Sequence, residues 1–544
     1  MQARLLRLTI AAALAVGGGA VQAPATTDAA GMPIVRLGGA NRYETAALVS
    51  ASHFGPGVAA AYVATGDDFP DALAGGPAAA LARGPILLVS RGAIPAPTAA
   101  ELSRLQPLRI VVLGGAGVIF DEVLNALAAY QTGGGVTRIG GADRYETAAL
   151  VSASHFGQGM AAAYVATGTA FPDALVGGVA AARSGSPVLL SAPNALPAAT
   201  EAELRRLAPA QIFVLGGPGA VSDGVAARLA TLATTGAVGR LAGGDRYATG
   251  VAVSSMTPVP AAGLFVATGS SFPDALVAVP AAAASGAGLL LVPGRSLPRV
   301  VADEAARLAP GRIVLLGGQT VVTDRVTFDL RVALGDLPPL PACAYLDVPT
   351  PFATYDDWRR TLLDPIYMLP SDYHPGDLVD TSAAGLNAGH TLRAHVTSDL
   401  RAMADAARAA GRPLQVVSAF RSYATQQATF DYWVSVRGYE TALRRSARAG
   451  HSEHQLGTTV DFTHAGGAAP WDYADWGATP AGAWMQANAW RYGFVMSYPR
   501  DRFATVCHEH EPWHYRYFGR DVAYSITVSG LTPREWLWLN GNGG

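Results

Sequence analysis

The chain has 544 residues, half of them hydrophobic and 15% charged, with 62 glycines and 36 prolines. That length exceeds a single core and predicts roughly three or four domains, and the balance excludes an intrinsically disordered chain. The formal net charge is -2 and the sequence contains no lysine, so there is no basic surplus to attract nucleic acid.

Arg4 and Arg7 precede an apolar run, Leu8 to Val16, and small residues then lead to Ala23-Pro24-Ala25. This order predicts a secretory signal peptide over residues 1–25, too short for a stable span. No later stretch has the length and apolarity of a membrane helix, so the mature chain is expected to be secreted and to lack one. Cys343 and Cys507 are the only cysteines. In an oxidising compartment such a pair predicts one disulfide, with two separate buried thiols as the alternative.

The first half repeats itself. GGANRYETAALVSASHF from Gly38, GGADRYETAALVSASHF from Gly140 and AGGDRYATGVAVSS from Ala242 share one theme. FPDAL follows at Phe69, Phe171 and Phe272, and LGG at Leu113, Leu215 and Leu316. The spacing predicts copies over 35–137, 138–239 and 240–335, each long enough to bury its own core. Within a copy, AAYVATG, PILLVS and RIVVLGG read as buried strands separated by helices. Continuous apolar strands between helices predict a parallel, Rossmann-like α/β sheet in every copy. The glycine pairs lack both the dinucleotide spacing and a P-loop lysine, which argues against nucleotide binding.

The recurring polar residues are Arg42/Tyr43, Arg144/Tyr145, Arg246/Tyr247 and Asp71, Asp173, Asp274. Two readings stand: internal Arg–Asp pairs that tie a loop to a helix start, or repeated arginines that grip an anionic polymer with avidity. Together the elements resemble the cell-wall-binding repeats found in threes on exported bacterial surface proteins. The resemblance implies non-covalent anchoring to an anionic wall polymer. The third copy departs from the pattern, with Ala248 where the others have glutamate.

A proline-rich linker, residues 336–344, separates the repeats from a different vocabulary: all nine tryptophans and nine of the eleven histidines follow residue 343. In that domain, 345–544, Leu414 to Ser418 reads as a buried strand that delivers Arg421 to a loop, a usual place for a binding residue. Ser452, His454, Gly457 and Asp461 form S-x-H-x-x-G-x-x-x-D. His454 and Asp461 offer an imidazole and a carboxylate of the kind a catalytic zinc site uses, with one coordination position left for water.

Residues 510–514, H-E-P-W-H, mimic the helical H-E-x-x-H signature. Pro512 lacks an amide donor and pushes Glu511 out of helical geometry, and the residues that follow alternate as a strand does. The segment is therefore expected to be non-helical, with His514 as third metal ligand and Glu511 beside it as base. His451, His464, His508 and His510 are expected to stand outside the site.

S-A-F-R-S-Y-x-x-Q, S-E-H-Q-L-G-x-x-x-D-F and E-P-W-H-Y-R-Y-F-G, in that order, closely resemble the VanY-type D-alanyl-D-alanine carboxypeptidases. The resemblance implies an α+β zinc peptidase domain of the hedgehog and D,D-peptidase type, holding one Zn2+ through His454, Asp461 and His514. It implies Glu511 as catalytic base, Arg421 as the arginine that engages substrate, and Ser452 and Gln426 near the substrate. Phe420 stands where such enzymes often have tyrosine, and Thr458 and Thr459 replace small apolar residues. The expected substrate is a peptidoglycan stem peptide ending in D-Ala-D-Ala. The alternatives are a zinc endopeptidase with the same ligands, a surface protein with a vestigial peptidase domain, and repeats that act only as spacers.

Overall fold

The computed structural model describes residues 32–542; the expected signal peptide lies outside the described residues. Twelve strands build the repeat half: β1 (Ile34–Leu37), β2 (Ala60–Thr65), β3 (Ile86–Val89), β4 (Arg109–Leu113), β5 (Val136–Ile139), β6 (Ala162–Thr167), β7 (Val188–Ser191), β8 (Gln211–Leu215), β9 (Ala237–Leu241), β10 (Leu264–Thr268), β11 (Gly288–Val292) and β12 (Ile313–Leu316). They form three parallel sheets ordered β3-β2-β4-β5, β7-β6-β8-β9 and β11-β10-β12-β1. Strands β2, β6 and β10 are buried along their whole length, as sheets covered on both faces require.

The copies are not self-contained. Each sheet takes its fourth strand from the next copy, and β1 closes the ring by pairing with β12, Ile34 opposite Ile313 through Leu37 opposite Leu316. Boundaries at 137/138 and 239/240 therefore fall inside β5 and β9. The third copy keeps a further cluster of its own, while buried residues from all three copies share one cluster. At its centre the helices Gly75–Leu81, Pro172–Arg183 and Pro273–Ala284 pack on one another. The FPDAL phenylalanines meet at one end, with ring centroids 5.5, 5.9 and 6.2 Å apart among Phe69, Phe171 and Phe272.

This ring accounts for most recurring polar residues. Asn41, Asp143 and Asp245 are N-caps that accept two amides each. Glu44 and Glu146 reach back to the amides of Ala40 and Ala142, a contact that Ala248 cannot make. Arg42, Arg144 and Arg246 donate to the carbonyls of Gly66, Gly168 and Gly269. Asp71, Asp173 and Asp274 lie near the arginine of the following copy: Arg144, Arg246 and, closing the ring, Arg42. The first glycine of each LGG has positive φ, and a Cβ at Gly216 would lie 2.3 Å from Asp173 Oδ2. Only glycine admits both the backbone and that approach.

Burial raises the Asp274 carboxyl from 3.8 to about 6, with Arg42 opposing. Between those values the folded state holds a proton the unfolded chain has released, so stability falls as pH rises through that window. Asp274→Asn is expected to match the wild type near the lower end and to exceed it at neutral pH by up to about 3 kcal/mol. Thermal denaturation at both pH values checks this; an equal difference at both would contradict it.

The C-terminal half is built on an antiparallel sheet of four strands, ordered Leu414–Ser418, Thr459–His464, His514–Tyr517, Phe494–Met496. The helix Thr397–Ala409 buries Leu400, Met403 and Ala407 in one apolar cluster with Val460, Phe462 and Trp476. Helices together with this antiparallel sheet make an α+β domain. The linker is docked rather than free: Trp538 donates to the Pro338 carbonyl and Arg534 to that of Pro341. Phe328 and Leu337 share an apolar cluster with Phe518, Leu537 and Trp538, so the third copy packs directly on the C-terminal domain. No helix among the described residues is long and apolar enough to cross a membrane.

Candidate metal centre

The two central strands set the site. Antiparallel register places Asp461 directly opposite His514, and the turn Glu453–Leu456, which ends at left-handed Gly457, swings His454 over them. One ligand atom from each of His454, Asp461 and His514 lies within 4.8 Å of the others, and all three residues are buried. Asp461 Oδ2 is 3.1 Å from His454 Nε2, and its Oδ1 is 3.1 Å from His514 Nδ1. His454 Nε2 and Asp461 Oδ1 are nevertheless buried without a hydrogen-bond partner. Orphaned donor atoms aimed at one point, of nitrogen and carboxylate type, fit a divalent cation.

The outer nitrogens fix the rings. His454 Nδ1 donates to the Ala419 carbonyl at 2.6 Å, which leaves Nε2 bare. His514 Nε2 lies 3.1 Å from Glu453 Oε2, which turns Nδ1 inward. Glu453 in turn accepts from Arg516 at 2.9 Å and from Ser497. The sequence reading missed this carboxylate, although it sits inside the S-E-H-Q run; its only signal there was a charge within an otherwise site-forming motif.

Electrostatics follow from burial and these neighbours. Burial, aided by Arg421, lowers His454 to about 4, which leaves a neutral imidazole. His514 rises to about 10 because, against burial, carboxylates flank both ring nitrogens. Burial and the Asp461 charge raise Glu511 to about 8. A divalent cation at the ligand point favours the deprotonated form of both.

Residues 508–513 run as an irregular segment and turn into the strand that begins at His514, so H-E-P-W-H is not a helix. Glu511 is partly exposed and its Oε2 stands 3.6 Å from His514 Nδ1. Arg421 Nη2 lies 3.9 Å from Asp461 Oδ2, and its Nε is buried without a partner. Ser452 is buried two residues before His454. Gln426 donates to the Ala447 carbonyl at 2.6 Å, which ties its helix to the loop that leads into the site. His451 and His510 bond to the carbonyls of Asp364 and Tyr498, His508 to that of Glu509, and His464 contacts Tyr473; none joins the ligand cluster. Cys343 and Cys507 form a disulfide with Cα atoms 5.4 Å apart, fastening the linker to the turn that enters the 508–514 segment.

A ring of three α/β repeats is thus joined to an α+β domain that buries a His-Asp-His cluster able to hold a metal ion. Residues 36–124, 138–226 and 240–327 match the family described as cell wall binding domain 2 (CWB2), and residues 389–520 match VanY, D-alanyl-D-alanine carboxypeptidase. The chain thus carries three CWB2 cell-wall-binding repeats and a C-terminal domain of the VanY D-Ala-D-Ala carboxypeptidase family. Among its relatives, YodJ of Bacillus subtilis (strain 168), named as a carboxypeptidase, is 36% identical over 180 residues, 32% of this chain and 66% of that one. A D-alanyl-D-alanine carboxypeptidase of Enterococcus faecalis (strain ATCC 700802 / V583) is 30% identical over 190 residues, 33% of this chain and 66% of that one. The chain therefore spans just under two thirds of these curated relatives. The solved structure of Cwp8 from Clostridium difficile superposes with a TM-score of 0.51 at 26% identity, covering 56% of this chain and 52% of that one.

Proposed function

We propose that the protein is a wall-anchored zinc D,D-carboxypeptidase that releases the terminal D-alanine from peptidoglycan stem peptides ending in D-Ala-D-Ala. The observation that carries this reading is the convergence of His454, Asp461 and His514 on one point, with Glu511 beside them. His454, Asp461 and His514 would hold the zinc, which would supply a Lewis acid for the attacking water and the scissile carbonyl. Glu511 takes the proton of the attacking water and delivers it to the leaving amine. Arg421, whose Nε is an unspent buried donor, pairs with the terminal carboxylate of the peptide. Ser452 and Gln426 shape the wall beside it, Gln426 through the Ala447 loop. The CWB2 repeats hold the domain on its polymeric substrate and raise local concentration.

The reading is tested by incubating the full chain with zinc and either a defined pentapeptide or cross-linked muropeptides. Release of D-alanine from the pentapeptide is expected. Cleavage of cross-links alone would replace the carboxypeptidase with an endopeptidase on the same residues.

A further inference from the structure

The three axial helices end around an open cavity of about 650 Å³ at the pole opposite the FPDAL phenylalanines. Two arginines line it, and the repeat pattern requires neither. Arg83 occupies the place held by Gly185 and Gly286 in the other copies, and all three have left-handed φ: 53°, 61° and 66°. A non-glycine residue there is disfavoured, so arginine stands where the backbone prefers the residue its two counterparts use. Arg183 ends its helix where Leu81 and Ala284 stand. The negative end of the helix dipole welcomes a cation at Arg183, yet its Nη1 is buried with no partner. No carboxylate lines the cavity. His53, also on its wall, is engaged already, its Nδ1 with the Val49 carbonyl at 3.0 Å and its Nε2 with Arg312 at 3.3 Å. The recurring arginines cannot fill the same role freely, since Arg42, Arg144 and Arg246 are bonded to glycine carbonyls.

We propose that this polar cavity is an anion site in which Arg83 and Arg183 together receive a phosphodiester or carboxylate group of the wall polymer. This rests on the repeats binding the wall. It places the contact at the mouth of the ring axis, one site per chain rather than three equivalent ones. Both arginines line the one cavity, and no carboxylate there competes for the anion.

The test compares the full chain with Arg83→Gly, Arg183→Leu and the double variant, by co-sedimentation with purified walls at low and high salt, alongside thermal melting. The double variant is expected to bind about tenfold more weakly at low salt and with a flatter salt dependence, while melting no lower than the wild type. A destabilised double variant would leave Arg83→Gly decisive, since it installs the residue of the other two copies. Arg183→Lys is expected to keep most of the affinity. Walls stripped of phosphodiester polymer separate the two sources: lost wild-type binding assigns phosphodiester, and retained binding assigns carboxylate. Wild-type affinity in both the double variant and Arg83→Gly would overturn the site. A wild type that ignores walls altogether would overturn the wall-binding reading beneath it.

Discussion

Glutamine in place of Glu511 is expected to lower turnover of a D-Ala-D-Ala-ended peptide by about 10²–10⁴-fold while one zinc per chain is retained. The separation of effects follows from position. Glu511 lies 3.6 Å from the ring of His514 but is not one of the three converging ligands. It is the partly exposed carboxylate of the site, held by its amide to the Tyr498 carbonyl and by its own carbonyl to the amide of His514. Glutamine preserves that turn and its size, and removes only the capacity to take a proton. Steady-state kinetics together with metal analysis distinguish the outcomes. Turnover within a few-fold of wild type would remove Glu511 from the chemistry, and loss of zinc would make it a ligand.

The second large effect is expected at Glu453. Its carboxylate lies between His514 Nε2 and the guanidinium of Arg516, which is fully buried. Against the cost of burial, the Arg516 charge and the His514 hydrogen bond hold the acid down at about 2, so it is charged at any working pH. Glu453→Ala strands a buried arginine charge, which costs about 3–5 kcal/mol when one partner of such a pair is removed. It also frees the ring of His514, and loss of an outer-shell carboxylate typically weakens metal binding by about 10–100-fold. Glu453→Gln keeps an acceptor for His514 and is expected to fall between the two. Denaturant midpoints and zinc competition with a chelator measure the pair of effects. An alanine variant that unfolds and binds zinc like the wild type would show the network to be idle.

The sequence revealed the His-Asp-His cluster better than its support. His454 and Asp461 stand seven residues apart around Gly457, and Pro512 alone rules out the helical alternative for His514. Glu453 showed only as a charge inside the motif because its role exists only once the strands pair. Arg516 and His514 lie on one strand, and neither adjoins Glu453 until that strand meets Thr459–His464. The repeats show the same limit. The edge strands IVRL, VTRI and AVGRL are not among the strands legible within each copy, and local pattern cannot say that each belongs to its predecessor's sheet, nor that the first closes on the last. That choice is made by long-range packing around the three axial helices. Gln426 illustrates the converse: its motif position was legible, while its bond to the Ala447 carbonyl, which makes it a support of the loop, was not.

The central claim is best tested by counting metal. Full-length chain equilibrated with zinc and dialysed is expected to retain one equivalent, and His454→Ala, Asp461→Ala and His514→Ala each to retain far less. A wild type without stoichiometric zinc, or three variants that hold it equally well, would contradict the account.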